Sequence, residues 1–183
     1  MEFRPVLKYL QKNNVRVTYV VGNHDPWHLD FFEDIAGVNM IRRACLLELD
    51  GVRTYLSHGD EFDVRSPLSR LVRNVMRSPW SFLFYRLTFP AKIGQPLPAR
   101  ISQRFGGRKK KTRTIQSLRE AAMDLLEEPD INRVIMGHTH ESCLEESNGG
   151  SYVNSGSWFS DRTFAELSGG QVRLRRYSSA LPA

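Results

Sequence analysis

Arg133-Val134-Ile135-Met136-Gly137-His138-Thr139-His140 decides the reading of this chain, because an unbroken aliphatic run stops at a glycine and gives way at once to two histidines. The run predicts a buried strand over 133–136, and the glycine predicts a tight loop beyond its carboxyl end. Two earlier stretches share the layout: Val20-Val21-Gly22-Asn23-His24-Asp25 and Tyr55-Leu56-Ser57-His58-Gly59-Asp60. In α/β architectures functional side chains collect beyond the carboxyl ends of strands, where loops present polar groups while the strands stay buried. Four of the five histidines, His24, His58, His138 and His140, are therefore expected at one edge.

Imidazole nitrogen, amide oxygen and carboxylate together suit Mn, Fe, Zn or Ni better than a soft, thiolate-seeking metal. A mixed nitrogen and oxygen set is what metal-assisted hydrolysis needs: the ion lowers the pKa of water and leaves positions open for phosphate oxygens. Each piece alone has a plainer reading. Gly-Asn-His-Asp can be an ordinary turn whose Asn and Asp accept backbone hydrogen bonds, and His138-x-His140 can be a surface pair on one side of an extended segment. The order of the three, each led in by a strand, points to a common site.

Outward from these motifs, Phe3, Val6, Leu7 and Leu10 have helical spacing over 3–14, and Asn13-Asn14 ends it before a β-branched strand over 15–21. A short helix is expected over 30–35. Strands 45–49 and 52–56 flank Asp50-Gly51, a two-residue hairpin signal. A helix is expected over 114–128, closed by Pro129, and antiparallel sheet over 150–177. The chain has 183 residues, room for one ordinary domain with a real core. With 40% hydrophobic and 25% charged residues it has a globular composition, and no apolar stretch approaches the roughly 18 residues of a membrane span. Met1-Glu2-Phe3-Arg4-Pro5 has no secretory core segment, so the cytoplasm is the expected compartment. Cys45 and Cys143 are expected to be reduced thiols.

Charge is unevenly distributed. The net charge is +6, yet residues 64–114 hold 13 of the 26 Lys and Arg and none of the 20 acids, leaving 13 minus 20, or −7, elsewhere. Leu68, Leu71, Val72, Val75 and Met76 are helically spaced, and Trp80, Phe82, Phe84, Tyr85, Phe89 and Phe105 are interleaved with the cations. This reads as a basic helical insertion facing a phosphate-rich partner, and aromatics among cations suit an anionic membrane surface. A plain helical lid with solvated charges is the simpler alternative.

In this order, Gly22-Asn23-His24-Asp25, His58-Gly59-Asp60 and Gly137-His138-Thr139-His140 resemble the last three metal-binding motifs of the calcineurin-like metallophosphoesterase superfamily. The resemblance implies an α/β, four-layer fold, two mixed β-sheets packed as a sandwich flanked by helices, and a site for two divalent ions, Mn first and Fe or Zn as alternatives. It implies Asn23, His58 and His138 as ligands of the second ion, His140 as a ligand of the first, His24 beside the scissile phosphate and Asp25 orienting it. The helical basic cap, with Tyr152-Val153-Asn154-Ser155-Gly156-Ser157-Trp158, looks like the UDP-2,3-diacylglucosamine pyrophosphatases of lipid A synthesis, whose best-known branch has Arg where this chain has His24. That likeness implies a nucleotide-linked or lipid-linked phosphate substrate, with Arg70, Arg73 and Arg77 of the cap holding it, at the inner face of a membrane. Nucleic acid or a cyclic nucleotide is the alternative substrate, and a non-catalytic basic binding module the alternative class.

The Asp-x-His and Gly-Asp motifs that open the family pattern are absent, so the expectation is one domain over 1–183 lacking its N-terminal portion, with the cap at 64–114 inserted. Without a bridging carboxylate the remaining neutral donors should hold a divalent ion weakly. The 183-residue chain, short of ligands for the first ion and of the bridging one, is accordingly expected to be impaired, with little or no activity, and to lose Mn during gel filtration; stoichiometric metal in the eluted protein would contradict this.

Overall fold

A computed structural model describes residues 4–23, 38–63, 75, 78–88, 108–147 and 149–178. The chain divides into two compact units, Met1–Arg43 with Arg65–Gly106, and Ala44–Val64 with Gly107–Ala183.

In the first unit, helix α1 spans Arg4–Lys12. It stops where Asn14 turns left-handed (φ 56°). Asn14 N donates to Gln11 O at 2.9 Å and Val15 N to Leu10 O at 2.9 Å, the paired bonds of a Schellman close that satisfy the helix's last carbonyls. Strand β1 (Thr18–Val20) pairs in parallel with β2 (Asn39–Ile41), Tyr19 opposite Met40. Expected over seven residues, β1 has three; Val17 O and Val21 N extend its bonding by accepting from Asn39 N and donating to Ile41 O. Helix α2 (Pro79–Thr88) begins with proline, whose fixed φ suits the first helical position, directly after Ser78. The helix expected over 30–35 lies outside the described residues.

The second unit is built on a five-stranded mixed sheet in the order β3-β4-β5-β7-β6. Strands β3 (Cys45–Leu49) and β4 (Val52–Leu56) form the expected hairpin, with φ 53° at Asp50 and 75° at Gly51. Two consecutive left-handed residues make the mirror-image turn whose twist matches paired strands. Strand β4 then runs parallel to β5 (Arg133–Met136), β5 parallel to β7 (Gly150–Asn154), and β7 antiparallel to β6 (Cys143–Ser147). The tail is thus not wholly antiparallel as expected: β7 enters the sheet beside β5, because its Tyr152 and Val153 are apolar on both faces and need a central place. Strands β8 (Thr163–Ser168) and β9 (Gln171–Arg176) form a separate antiparallel hairpin.

Helix α3 (Arg108–Leu126) lies against one face of this sheet and starts six residues before the expected position, so the basic run from Arg108 to Arg113 belongs to it. Leu118, Ala122 and Leu126, four residues apart, make a single buried stripe against Val134, Met136 and Tyr152. On the other face, Arg133 is buried; its Nη2 donates to Gly170 O at 2.7 Å, while Gly170 N donates to Asp50 Oδ2 at 2.6 Å, tying the β8–β9 turn to the β3–β4 turn. The result is the mixed α/β architecture expected. Cys45 and Cys143 are free. They lie on the two outer strands of the sheet, four strand spacings or roughly 19 Å apart, too far to bridge. Among the described residues no helix is long and apolar enough to cross a membrane.

Burial pushes the Tyr55 hydroxyl up to about 12, with the Glu61 carboxylate and the Cys45 thiol adding to the shift, and burial raises Tyr152 as well. An unfolded phenol ionises near pH 10. The stabilisation from these neutral phenols is therefore complete below about pH 10 and is lost as pH rises through the folded values. The urea midpoint should fall between about pH 10 and 12, and fall less in Tyr55→Phe with Tyr152→Phe; an equal fall in the double variant would contradict this assignment.

Candidate functional site

The site follows from a backbone register. Leu56 of β4 stands opposite Ile135 of β5 in a parallel pair, so both strands end at the same sheet edge. Pairing continues into the loops: Ser57 N donates to Ile135 O at 3.1 Å, and Gly137 N donates to His58 O at 3.1 Å. Two loops 80 residues apart in sequence are thus hydrogen-bonded at the histidines themselves.

Their side chains meet. His138 Nδ1 lies 3.3 Å from His58 Nε2, with the rings edge to face and their centroids 5.2 Å apart. On the other side of the His138 ring, Nε2 lies 3.1 Å from Asp63 Oδ2. Asp63 follows the 3-10 turn Asp60–Phe62, and its Oδ1 accepts from Thr114 Oγ1 of α3 at 3.1 Å. The His138 and Asp63 side chains are only 8% and 11% exposed, which weakens competition from water.

Backbone strain is concentrated here. His138 and His140 both have left-handed φ, 63° and 57°, which costs a non-glycine residue on the order of 1 kcal/mol or more. Buried Asn154 holds the loop: Nδ2 donates to Gly137 O at 2.6 Å and to Thr139 Oγ1 at 3.0 Å, and Oδ1 accepts from Gly156 N at 3.1 Å. Gly59, at φ 98°, allows the first loop to sit this deep. A Cβ there would stand 2.9 Å from Leu118 Cδ2 and 3.4 Å from Met136 Cβ, so the glycine is required by both backbone and packing.

Two imidazoles bound to one ion at about 2.0–2.1 Å, at angles of roughly 100–110°, have their nitrogens about 3.1–3.4 Å apart. The 3.3 Å separation of His58 Nε2 and His138 Nδ1 falls in that range, so this pair fits two positions of one coordination shell. Among the described residues no group of three or more His, Cys, Asp and Glu side chains is arranged to hold a metal ion. Of the other residues singled out in the sequence, Asn23 follows Gly22 in the loop that leaves β1 of the first unit, and His140 is exposed two positions beyond His138. His24, Asp25, Arg70, Arg73 and Arg77 lie outside the described residues.

Asp63, Thr114 and Asn154 were not among the candidates. Thr114 carries a readable signal, since it extends the stripe Leu118, Ala122, Leu126 by one turn and is polar where that stripe is apolar. Asn154 offers a weaker one, an amide after two apolar residues at a strand end. Asp63 offers none, because one carboxylate among polar loop residues is unremarkable until the fold places it.

The chain belongs to the calcineurin-like phosphoesterase family, whose pattern matches residues 2–142, and is a hydrolase of the class that acts on phosphoester bonds. That family uses a dinuclear divalent metal site. The chain is 27% identical over 165 residues to the UDP-2,3-diacylglucosamine hydrolase of Shewanella sp. (strain ANA-3), covering 87% of this chain and 67% of that protein. It is 26% identical over 182 residues to the enzyme of the same name from Aeromonas hydrophila, covering 92% and 72%. Among solved structures, vacuolar protein sorting 29 from Cryptosporidium parvum is 12% identical with a TM-score of 0.38, over 94% of this chain and 84% of that one, too loose a likeness to carry an argument.

Asn154→Ala should unfold at a denaturant midpoint equivalent to about 2–4 kcal/mol less stability, since it leaves several buried polar groups without partners. Hydrogen exchange at Gly137 to His140 should accelerate beyond the global change. Wild-type stability in this variant would contradict the role given to Asn154.

Proposed function

We propose that this chain is a metal-dependent phosphoesterase or pyrophosphatase that acts on a nucleotide-linked or lipid-linked phosphate, in the manner the UDP-2,3-diacylglucosamine hydrolases are named for. The observation that carries the reading is the 3.3 Å approach of His58 Nε2 and His138 Nδ1 at the ends of adjacent parallel strands, in motifs of family order. In this reading Asn23, His58 and His138 hold one divalent ion and His140 contributes to a second, with Mn preferred and Fe or Zn able to substitute. Divalent ions bound there would lower the pKa of water and neutralise phosphate charge. His24 would donate a hydrogen bond or proton to the phosphate oxygens, with Asp25 fixing its orientation. Arg70, Arg73 and Arg77 would hold the substrate's phosphates as bidentate donors.

A second observation favours a lipid-linked substrate and work at the inner face of a membrane. Trp80, Leu83, Phe84 and Leu87 recur at helical spacing on α2 and are 76%, 44%, 68% and 78% exposed. An apolar stripe within a segment of 13 cations and no acids is suited to acyl chains and anionic headgroups.

The test is hydrolysis of UDP-2,3-diacylglucosamine and of an activated phosphodiester by the Mn-loaded protein. His24→Ala should lower kcat by about 10²–10⁴-fold, and the double variant His58→Ala with His138→Ala should abolish turnover. Full turnover by the double variant would end the reading. Turnover of the simple diester alone, together with salt-sensitive binding of single-stranded RNA, would move the substrate to nucleic acid. Leu87→Asp should weaken binding to phosphatidylglycerol vesicles; unchanged binding in the variant, or wild-type binding no stronger than to phosphatidylcholine vesicles, would discard the membrane assignment.

A further inference from the structure

Thr114 stands four residues before Leu118, at the head of the buried stripe of α3, and at 4% exposure it is nearly as covered as the leucine. A hydroxyl in that place costs free energy unless it is bonded. It is bonded to Asp63 Oδ1 at 3.1 Å, and the second oxygen of the same carboxylate lies 3.1 Å from His138 Nε2. The carboxylate is held on one side by the helix and faces the ring with the other. A carboxylate accepts and cannot donate, so Nε2 must carry the ring proton. A single ring proton placed there leaves the lone pair on Nδ1, the atom 3.3 Å from His58 Nε2.

We propose that Asp63, anchored by Thr114, is the positioning residue that fixes His138 in its Nε2–H tautomer and aims the Nδ1 lone pair at the point His58 Nε2 faces. This rests on reading His58 and His138 as ligands of one ion and adds the reason they are preorganised. Nitrogen ligands are oriented by whatever their other ring nitrogen bonds to, and removing such a partner typically weakens metal affinity 10–100-fold. Fixing His138 through α3 also links the site to the hydrophobic core, since the helix that presents Thr114 is the one that packs Leu118, Ala122 and Leu126.

The experiment uses the 183-residue chain and two readouts. Long-range ¹H–¹⁵N spectra of the metal-free protein report the tautomer of His138, and Co²⁺ titration followed by visible absorption reports affinity. In the wild type, His138 should be wholly Nε2-protonated. Asp63→Ala should give a mixture of tautomers and weaken Co²⁺ binding about 10–100-fold. Thr114→Val, which keeps the packing of α3, should move both readouts the same way by less, and Asp63→Asn, which keeps an acceptor oxygen, should recover part of the loss. An Nδ1-protonated His138 in the wild type, or wild-type tautomer and affinity in Asp63→Ala, would overturn the proposal. Absence of Co²⁺ binding by the wild type would count against the ligand reading instead, and the tautomer spectra would still decide the role of Asp63.

Discussion

The parallel register of β4 against β5 is the constraint on which the rest depends. Sliding one strand by a single residue would turn every side chain of β4 to the opposite face of the sheet. It would also separate His58 O from Gly137 N, the bond that joins the two loops. Burial prevents the slip: Val134 and Met136 are covered by α3, and Thr54 and Arg133 are covered on the other face. The histidines inherit their positions from a core that contains neither of them. Hydrophobic packing, which has no direction of its own, thus becomes a directed pair of nitrogen atoms through the backbone hydrogen bonds of one register.

Against that rigid frame the site accepts local costs. Two left-handed histidines lie in one of the two loops that meet at this sheet edge, and in the other sits a left-handed glycine whose added Cβ would press on Leu118. Asn154 offsets part of the cost by answering a carbonyl and a hydroxyl of the Gly137–His140 loop while its own oxygen accepts from Gly156. Strain held in this way keeps donors in place before a cation arrives, which lowers the reorganisation that binding requires. Asp63 fits the same logic, since a bare imidazole could rotate or shift its proton and a carboxylate-bonded one is held.

The legibility of the sequence varied with how local the cause was. Asp50-Gly51 was readable because two left-handed residues in succession satisfy a hairpin by their own conformational preferences. The Val134–Met136 run was readable because a short apolar run bounded by glycine can scarcely be anything but a buried strand end. The early start of α3 was hidden, since Arg108 to Lys111 offer no apolar period although lysine and arginine favour helix. Strand β6 was missed because Cys143-Leu144-Glu145-Glu146-Ser147 has too little apolar content to stand out, and only its pairing with β7 makes it a strand. At the site, the histidines were visible as strand-terminal motifs, whereas Asp63 and Thr114 became visible only when a helix and a loop 51 residues apart in sequence were brought together. Local signals fix elements; a partner chosen by tertiary packing leaves little trace in one sequence.

The central claim is that His58 and His138 point at one ion. Zn²⁺ added to the ¹⁵N-labelled chain moves the resonances of the ring nitrogens bonded to it, and so reads the claim atom by atom. His58 Nε2 and His138 Nδ1 should shift together, with the same dependence on Zn²⁺. A shift of one nitrogen without the other, or of neither, would contradict it.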